Sequence, residues 1–304
     1  MTPPPADQKK VLANTLEKSN SIVVENEPLS TQENSTSKNS TNNSAQKQLF
    51  GLARKFSLDG AFLPEEKQAP IEDRSFRRIK SHELRQQQNI EAITLRAIKY
   101  CSDSTIADRA DQDWFSSFIT LAEGISNKTM QDLWAKILAG EVSQPGSFSL
   151  KTLKAFRTMS IGEAKLLAKA CSISMTDSRK KNIRIITGAY QTPKLLNFFN
   201  KQRQQRLDLN LVSLSYADIL TLADNHLLFE QETESHSLDK NDQIQFYYNG
   251  KSVNFIAKKA DCILTFYKFT AIGTELARLI ADNGDLNFLT AVKTQLAENF
   301  TIEY

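Results

Sequence analysis

The chain has 304 residues, a formal net charge of +3, 40% hydrophobic and 24% charged residues, and three cysteines. Such a balance suits a folded protein of about two domains with a polar appendage, and it excludes bulk charge as a driver of nucleic-acid or membrane binding. Cys101, Cys171 and Cys262 are odd in number and far apart in apolar contexts, which argues against a disulfide framework or zinc site and predicts three reduced, buried thiols.

Met1 to Lys10 carries three consecutive prolines and no apolar leader, and no later run reaches the length of a membrane span, so a cytoplasmic protein is expected. From Thr2 to about Lys47, Ser, Thr, Asn, Gln and Glu dominate. Such a stretch buries too little apolar surface to offset its ordering entropy, and a disordered tail over 1–47 follows. A linker segment is expected over 48–85, amphipathic and then basic. Leu49, Leu52, Ala53 and Phe56 share one helical face. That stripe either docks on a partner or membrane surface or packs on its own domain, and an isolated short stripe favours the second. Arg74, Arg77, Arg78, Lys80 and Arg85 follow, mixed with Glu72, Asp73 and Glu83. A solvated helix face with internal ion pairs is predicted there, with nucleic-acid contact as the other reading. Ile90, Ile93, Ala97 and Ile98 then begin an apolar period.

A helical module is predicted over 86–175. Asp111 caps a helix carrying Trp114, Phe115, Phe118 and Ala122, and Gly124 closes it. Ser126 is the expected cap of the next helix, with Met130, Leu133, Trp134, Ile137 and Leu138 on one face and Gly140 as a left-handed C-cap. Pro145-Gly146 makes the turn. Ser149 starts a helix with Leu150, Leu153 and Phe156, and Ser160 with Glu163 reads as a capping box for one with Leu166, Leu167 and Ala170. The result is a small bundle cored by Trp114 and Trp134.

The residues Asp113-Trp114, Leu133 to Glu141, Pro145 to Ser149 and Thr152-Leu153 resemble the bacterial domain-of-unknown-function family 2806. The resemblance implies a bacterial, cytoplasmic domain and carries over no activity or catalytic residue. Within that signature Trp114, Trp134, Glu141, Pro145, Gly146 and Ser149 read as core, turn and cap residues. An enzymatic reading would use Glu141 beside Ser147 and Ser149, but no histidine lies nearby to serve as a base.

Over 176–304 an α+β domain with a small antiparallel sheet is expected, making the whole chain α+β. Ile183 to Ile186 is β-prone, and Leu195, Leu196, Phe198 and Phe199 suggest a helix. Tyr216 to Leu228 reads as a helix capped by Ser215, followed by an acidic loop over 230–242. Asn249-Gly250 joins two strands into a hairpin, Ile263 to Phe269 forms a third, and helices around Leu276 and Val292 end the chain. The order from Asp218 to Leu279, with Asn225-His226-Leu227-Leu228 and Phe269-Thr270-Ala271-Ile272-Gly273-Thr274-Glu275-Leu276, resembles a winged-helix module carrying an acidic insert.

Arg179, Lys180, Lys181, Arg184, Lys194, Lys201, Arg203 and Arg206, interleaved with Tyr190, Phe198 and Phe199, have the composition of a nucleic-acid groove. The competing reading pairs these bases with the acidic loop. His82, His226 and His236 fit no common metal spacing, and no nucleotide-binding glycine motif occurs, so neither metal nor cofactor is expected. The preferred function is an interaction or adaptor protein with an unidentified protein partner. A nucleic-acid-binding regulator comes second and an unrecognised enzyme third.

Overall fold

The computed structural model describes residues 45–101, 109–179, 182–193, 203–212, 214–280 and 284–304. Of the expected 1–47 tail, residues 1–44 lie outside them, as does the expected helix around Leu195 to Phe199, while Ala45 to Lys47 fall in a helix rather than in the tail, carried into it by the apolar period that follows. The architecture is α+β, with nine α-helices and an eight-stranded antiparallel sheet among the described residues.

The first six helices are α1 (Ala45–Lys55), α2 (Ile71–Ile98), α3 (Gln112–Ala122), α4 (Lys128–Ser143), α5 (Leu150–Thr158) and α6 (Ile161–Ser172). Their starts follow side-chain capping. Asp111, Ser149 and Ser160 each accept from a backbone N–H in the first turn, and Ser160 with Glu163 forms the reciprocal box. α4 is capped by Asn127 rather than Ser126, because the Ser126 hydroxyl accepts from the Asn89 amide on α2 at 3.2 Å. Gly140 is likewise not a C-cap: the helix continues to Ser143, and a Cβ at Gly140 would lie 2.8 Å from the Phe148 ring. Its glycine serves close packing, while Gly146, at φ 81°, takes the left-handed position in the turn.

Trp134 is fully buried, with its ring 5.4 Å from Phe118 and 5.3 Å from Phe156, and Trp114 stacks on Phe118. Ile93 and Ala97 on the C-terminal half of α2 enter the same core, while Ile98, expected on that face, points to solvent. Asn89 fixes the crossing by donating to Glu123 O at 2.8 Å.

The sheet runs β4 (Thr233–Glu234), β7 (Cys262–Lys268), β2 (Ile183–Gln191), β1 (Met175–Asp177), β5 (Gln243–Tyr248), β6 (Lys251–Ala257) and β8 (Phe300–Glu303). β3 (Gln204–Arg206) pairs with β2 off that path. Asn249 and Gly250, at φ 48° and 75°, close the β5–β6 hairpin in the left-handed pair its twist demands. α7 (Tyr216–Asp224) ends four residues before the expected Leu228, because His226 takes φ 57° and the chain turns Leu227 and Leu228 into the core. Two more helices, α8 (Ala271–Ala277) and α9 (Leu286–Gln295), complete the fold. Thr270 caps α8, and Gly273 sits so close to Leu227 that a Cβ there would lie 2.0 Å from its carbonyl oxygen. The acidic segment is more than a loop: Thr233 and Glu234 pair with β7.

Buried side chains form one set from Ile93 to Ile302, and the expected boundary between 175 and 176 falls inside β1. Ser149 N donates to Glu275 Oε2 at 2.7 Å and Arg278 to Ser147 O at 3.1 Å, tying the signature turn to α8. Among the thiols Cys262 is buried and Cys171 half-buried, but Cys101 is exposed, contrary to expectation, because it follows α2 past the last residue of its core face.

Candidate interaction surface

Glu141 is buried, and both its oxygens are engaged: Oε1 accepts from Gly146 N at 2.7 Å and Oε2 from Phe148 N at 2.8 Å. The carboxylate thus satisfies two amides that the Pro145-Gly146 turn leaves outside helical bonding. Ser149 caps α5, Trp114 Nε1 donates to Phe148 O at 2.7 Å, and Trp134 lies in the core. Trp114, Glu141, Gly146 and Ser149 therefore meet at one turn through hydrogen bonds, while Trp134 packs against Phe118 and Phe156.

Lys180, Lys181, Lys194, Lys201, Phe198 and Phe199 of the basic stretch lie outside the described residues. Its other members are dispersed. Arg179 and Arg206 are exposed, at the turn after β1 and on β3. Arg184 lies half-buried over the Phe266 and Phe246 rings, at 4.8 and 5.7 Å, and burial lowers its pKa while Asp177 opposes that shift. Arg203 is half-buried with Nη1 sequestered from solvent. None of these four arginines forms an ion pair with the acidic segment among the described residues. That segment is held by hydroxyls instead: Glu232 accepts from Thr187, and Glu234 from Tyr190, whose pKa is raised first by burial and then by that bond. Thr187 occupies a bulge in β2, where the register to β7 shifts between Ile186 and Gly188.

A second polar cluster escaped the sequence reading. Tyr100 donates to Asp132 Oδ1 at 2.5 Å, Lys136 Nζ lies 2.8 Å from Asp132 Oδ2, and Lys136 also faces the Tyr100 ring. Burial, then the bond to Asp132, pushes the Tyr100 hydroxyl upward, so it stays protonated and ties the end of α2 to α4. The i, i+4 spacing of Asp132 and Lys136 was the available signal.

A different surface emerges before the bundle. α1, two 3₁₀ turns (Asp59–Phe62 and Glu65–Lys67) and the N-terminal half of α2 form an arm. Ser57 and Ser81 hydroxyls meet at 3.0 Å, Arg85 donates to Lys55 O at 2.9 Å and covers the Phe56 ring, and Phe50 packs edge-on to Phe62. Ala53 is the buried residue of α1, whereas Leu49 and Leu52 are 60% and 57% exposed. The expectation that this stripe packs on its own domain is thus met only at Ala53.

Eleven of the twenty exposed large hydrophobic side chains among the described residues lie on this arm, between Leu49 and Leu84. That concentration is unusual, since exposed large apolar residues are ordinarily scattered singly. An open cleft of about 530 Å³ on this arm is lined by Phe50, Phe62 and Leu63 together with Lys47, Arg54, Asp59 and Arg77. The side chains of Arg54, Lys55, Arg77, Arg78 and Lys80 form no ion pair or hydrogen bond among the described residues. The ion pairs expected with Glu72, Asp73 and Glu83 do not form, consistent with the small gain such exposed pairs bring against side-chain entropy. Arg74 instead donates to Ala69 O.

The family model described as "Protein of unknown function (DUF2806)" matches residues 73–293. The chain belongs to the DUF2806 family. The match assigns no activity, and no curated protein and no solved structure matches the chain. The DUF2806 region takes in α2 from Asp73 onward, the bundle and most of the sheet, while α1 and both 3₁₀ turns precede it. Among the described residues no cluster of His, Cys, Asp and Glu is placed to hold a metal ion, and no helix is long and apolar enough to cross a membrane.

Proposed function

We propose that this DUF2806 protein is a non-enzymatic interaction module of a bacterial cytoplasm that docks its partner on the arm of α1 and α2. The observation supporting this reading is the gathering of exposed large apolar side chains on one arm beside a body whose apolar residues are mostly buried. On this reading the 176–304 region and the helical module are the scaffold, and the signature turn locks them together through Glu275 and Arg278. Affinity capture on the full chain, compared with a Leu49→Gln/Leu52→Gln variant, tests it. A stoichiometric bound species lost in the variant is expected. Equal recovery with both chains, or a strictly monomeric chain that binds neither a protein nor a lipid surface, contradicts it.

A second reading is a nucleic-acid-binding regulator, favoured by the exposed Arg179 and Arg206, which have no ion-pair partner among the described residues. A winged-helix-like use of α7, the β5–β6 hairpin and α8 belongs to this reading. Salt-dependent binding that weakens in an Arg179→Ala/Arg206→Ala variant is its signature, and absence of any low-salt anisotropy change with duplex or single strands removes it.

A further inference from the structure

We infer that the occupant of the arm is an anionic lipid surface, a deepening that rests on the arm being the docking site. Three observations carry it. First, α1 sorts its residues around the helix: Leu49, Leu52, Ala53 and, just past its end, Phe56 lie on one side, with Lys47 and Arg54 opposite and Lys55 flanking. The helix has no carboxylate in its length. An interfacial helix has this division, its apolar side entering the acyl boundary while long basic side chains reach back to the headgroups.

Second, much of the apolar side is uncovered. Leu49 and Leu52 are exposed while Ala53 is buried and Arg85 lies over the partly exposed Phe56, and Leu58, Phe62 and Leu63 are exposed around the first 3₁₀ turn. Phe62 and Leu63 also line the cleft whose rim carries Arg54 and Arg77, so apolar and cationic groups meet in one concavity. An anionic amphiphile satisfies both, with a phosphate at the rim and hydrocarbon against the aromatic rings.

Third, the charge is unspent. Arg54, Lys55, Arg77, Arg78 and Lys80 lack ionic partners among the described residues. Asp59 is the one carboxylate on the cleft wall, and Glu65, Glu66, Glu72 and Asp73 lie along the neighbouring 3₁₀ turn and the first turn of α2. These carboxylates limit the attraction, so binding is expected to be reversible and salt-sensitive. An exposed acidic protein helix would answer the charge equally but would not need the seven exposed large apolar groups that run from Leu49 to Leu63.

The test is co-sedimentation of the full chain with vesicles of phosphatidylglycerol and phosphatidylcholine, against vesicles of phosphatidylcholine alone. Binding to the anionic vesicles only, weakening as salt rises, is expected. Replacing Arg54, Lys55 and Arg77 by Ala is expected to weaken it about a hundredfold, at roughly fivefold for each basic residue near an anionic surface. Leu49→Gln/Leu52→Gln is expected to abolish binding without shifting the unfolding midpoint, which separates lost contact from lost fold. No sedimentation with anionic vesicles overturns the lipid inference. If the same Leu variant then abolishes capture of a protein, or a doubling of mass in light scattering, the arm remains the docking site with a protein or a second copy as occupant. If it changes neither, the docking reading falls as well.

Discussion

The Trp134 bundle and the arm before it have similarly apolar sequences and opposite fates. In the bundle, Leu133, Trp134, Ile137 and Leu138 of α4 are all buried. In α1 the equivalent stripe is covered only at Ala53. A hydrophobic period thus predicts a helix and its apolar face, but cover depends on a neighbouring element. α4 is crossed by α2 and flanked by α3 and α5 rings, whereas α1 and the two residues after it touch α2 through two serines and an arginine laid over the Phe56 ring.

The largest effect that sharpens this contrast is at Trp134. Trp134→Ala removes a fully buried ring in contact with Phe118 and Phe156. A loss of about 3–5 kcal/mol in urea unfolding is expected. Glu141→Ala comes next, since it leaves the amides of Gly146 and Phe148 without their acceptor. Its expected cost is about 2–4 kcal/mol, with Glu141→Gln costing less because one acceptor oxygen survives. A full-stability Glu141→Ala protein would show that the turn does not depend on this carboxylate.

A smaller effect concerns pH. The bond from Ser160 N, followed by that from Asn225, lowers the pKa of Glu163 below its ordinary value. A depressed carboxyl adds stability that is present above its unfolded pKa and is lost as pH falls through the folded one. The capping box therefore weakens on acidification below the usual glutamate range. Glu163→Gln should lose a little stability at neutral pH and flatten that acid limb, and an unchanged acid limb in the variant would assign the slope to other groups.

Much of the body was legible because its signals are local. Asp111, Ser149, Ser160 with Glu163 and Ser215 with Asp218 mark helix starts within a turn of the groups they cap. Asn249-Gly250 dictates its hairpin for the same reason. What failed was decided at long range. Gly140 accommodates Phe148, Ser126 is drawn away by Asn89, and β1 and β3, at three residues each, are too short for a period and exist through pairing with β2. The candidate surface was half legible. Its stripe could be read from Leu49, Leu52, Ala53 and Phe56, but its exposure could not, since no local pattern records a missing neighbour. The basic stretch shows the converse: from one run of the sequence, Arg184 ends in a stacked half-buried site and Arg206 on an exposed strand.

The central claim is that the apolar stripe of α1 is uncovered and contributes to binding, not to the fold. Urea unfolding of Leu49→Gln/Leu52→Gln beside Trp134→Ala tests it most directly. The double variant is expected to stay within about 0.5 kcal/mol of the parent chain. A loss of about 2 kcal/mol or more would place both leucines in a packed interface and contradict the account.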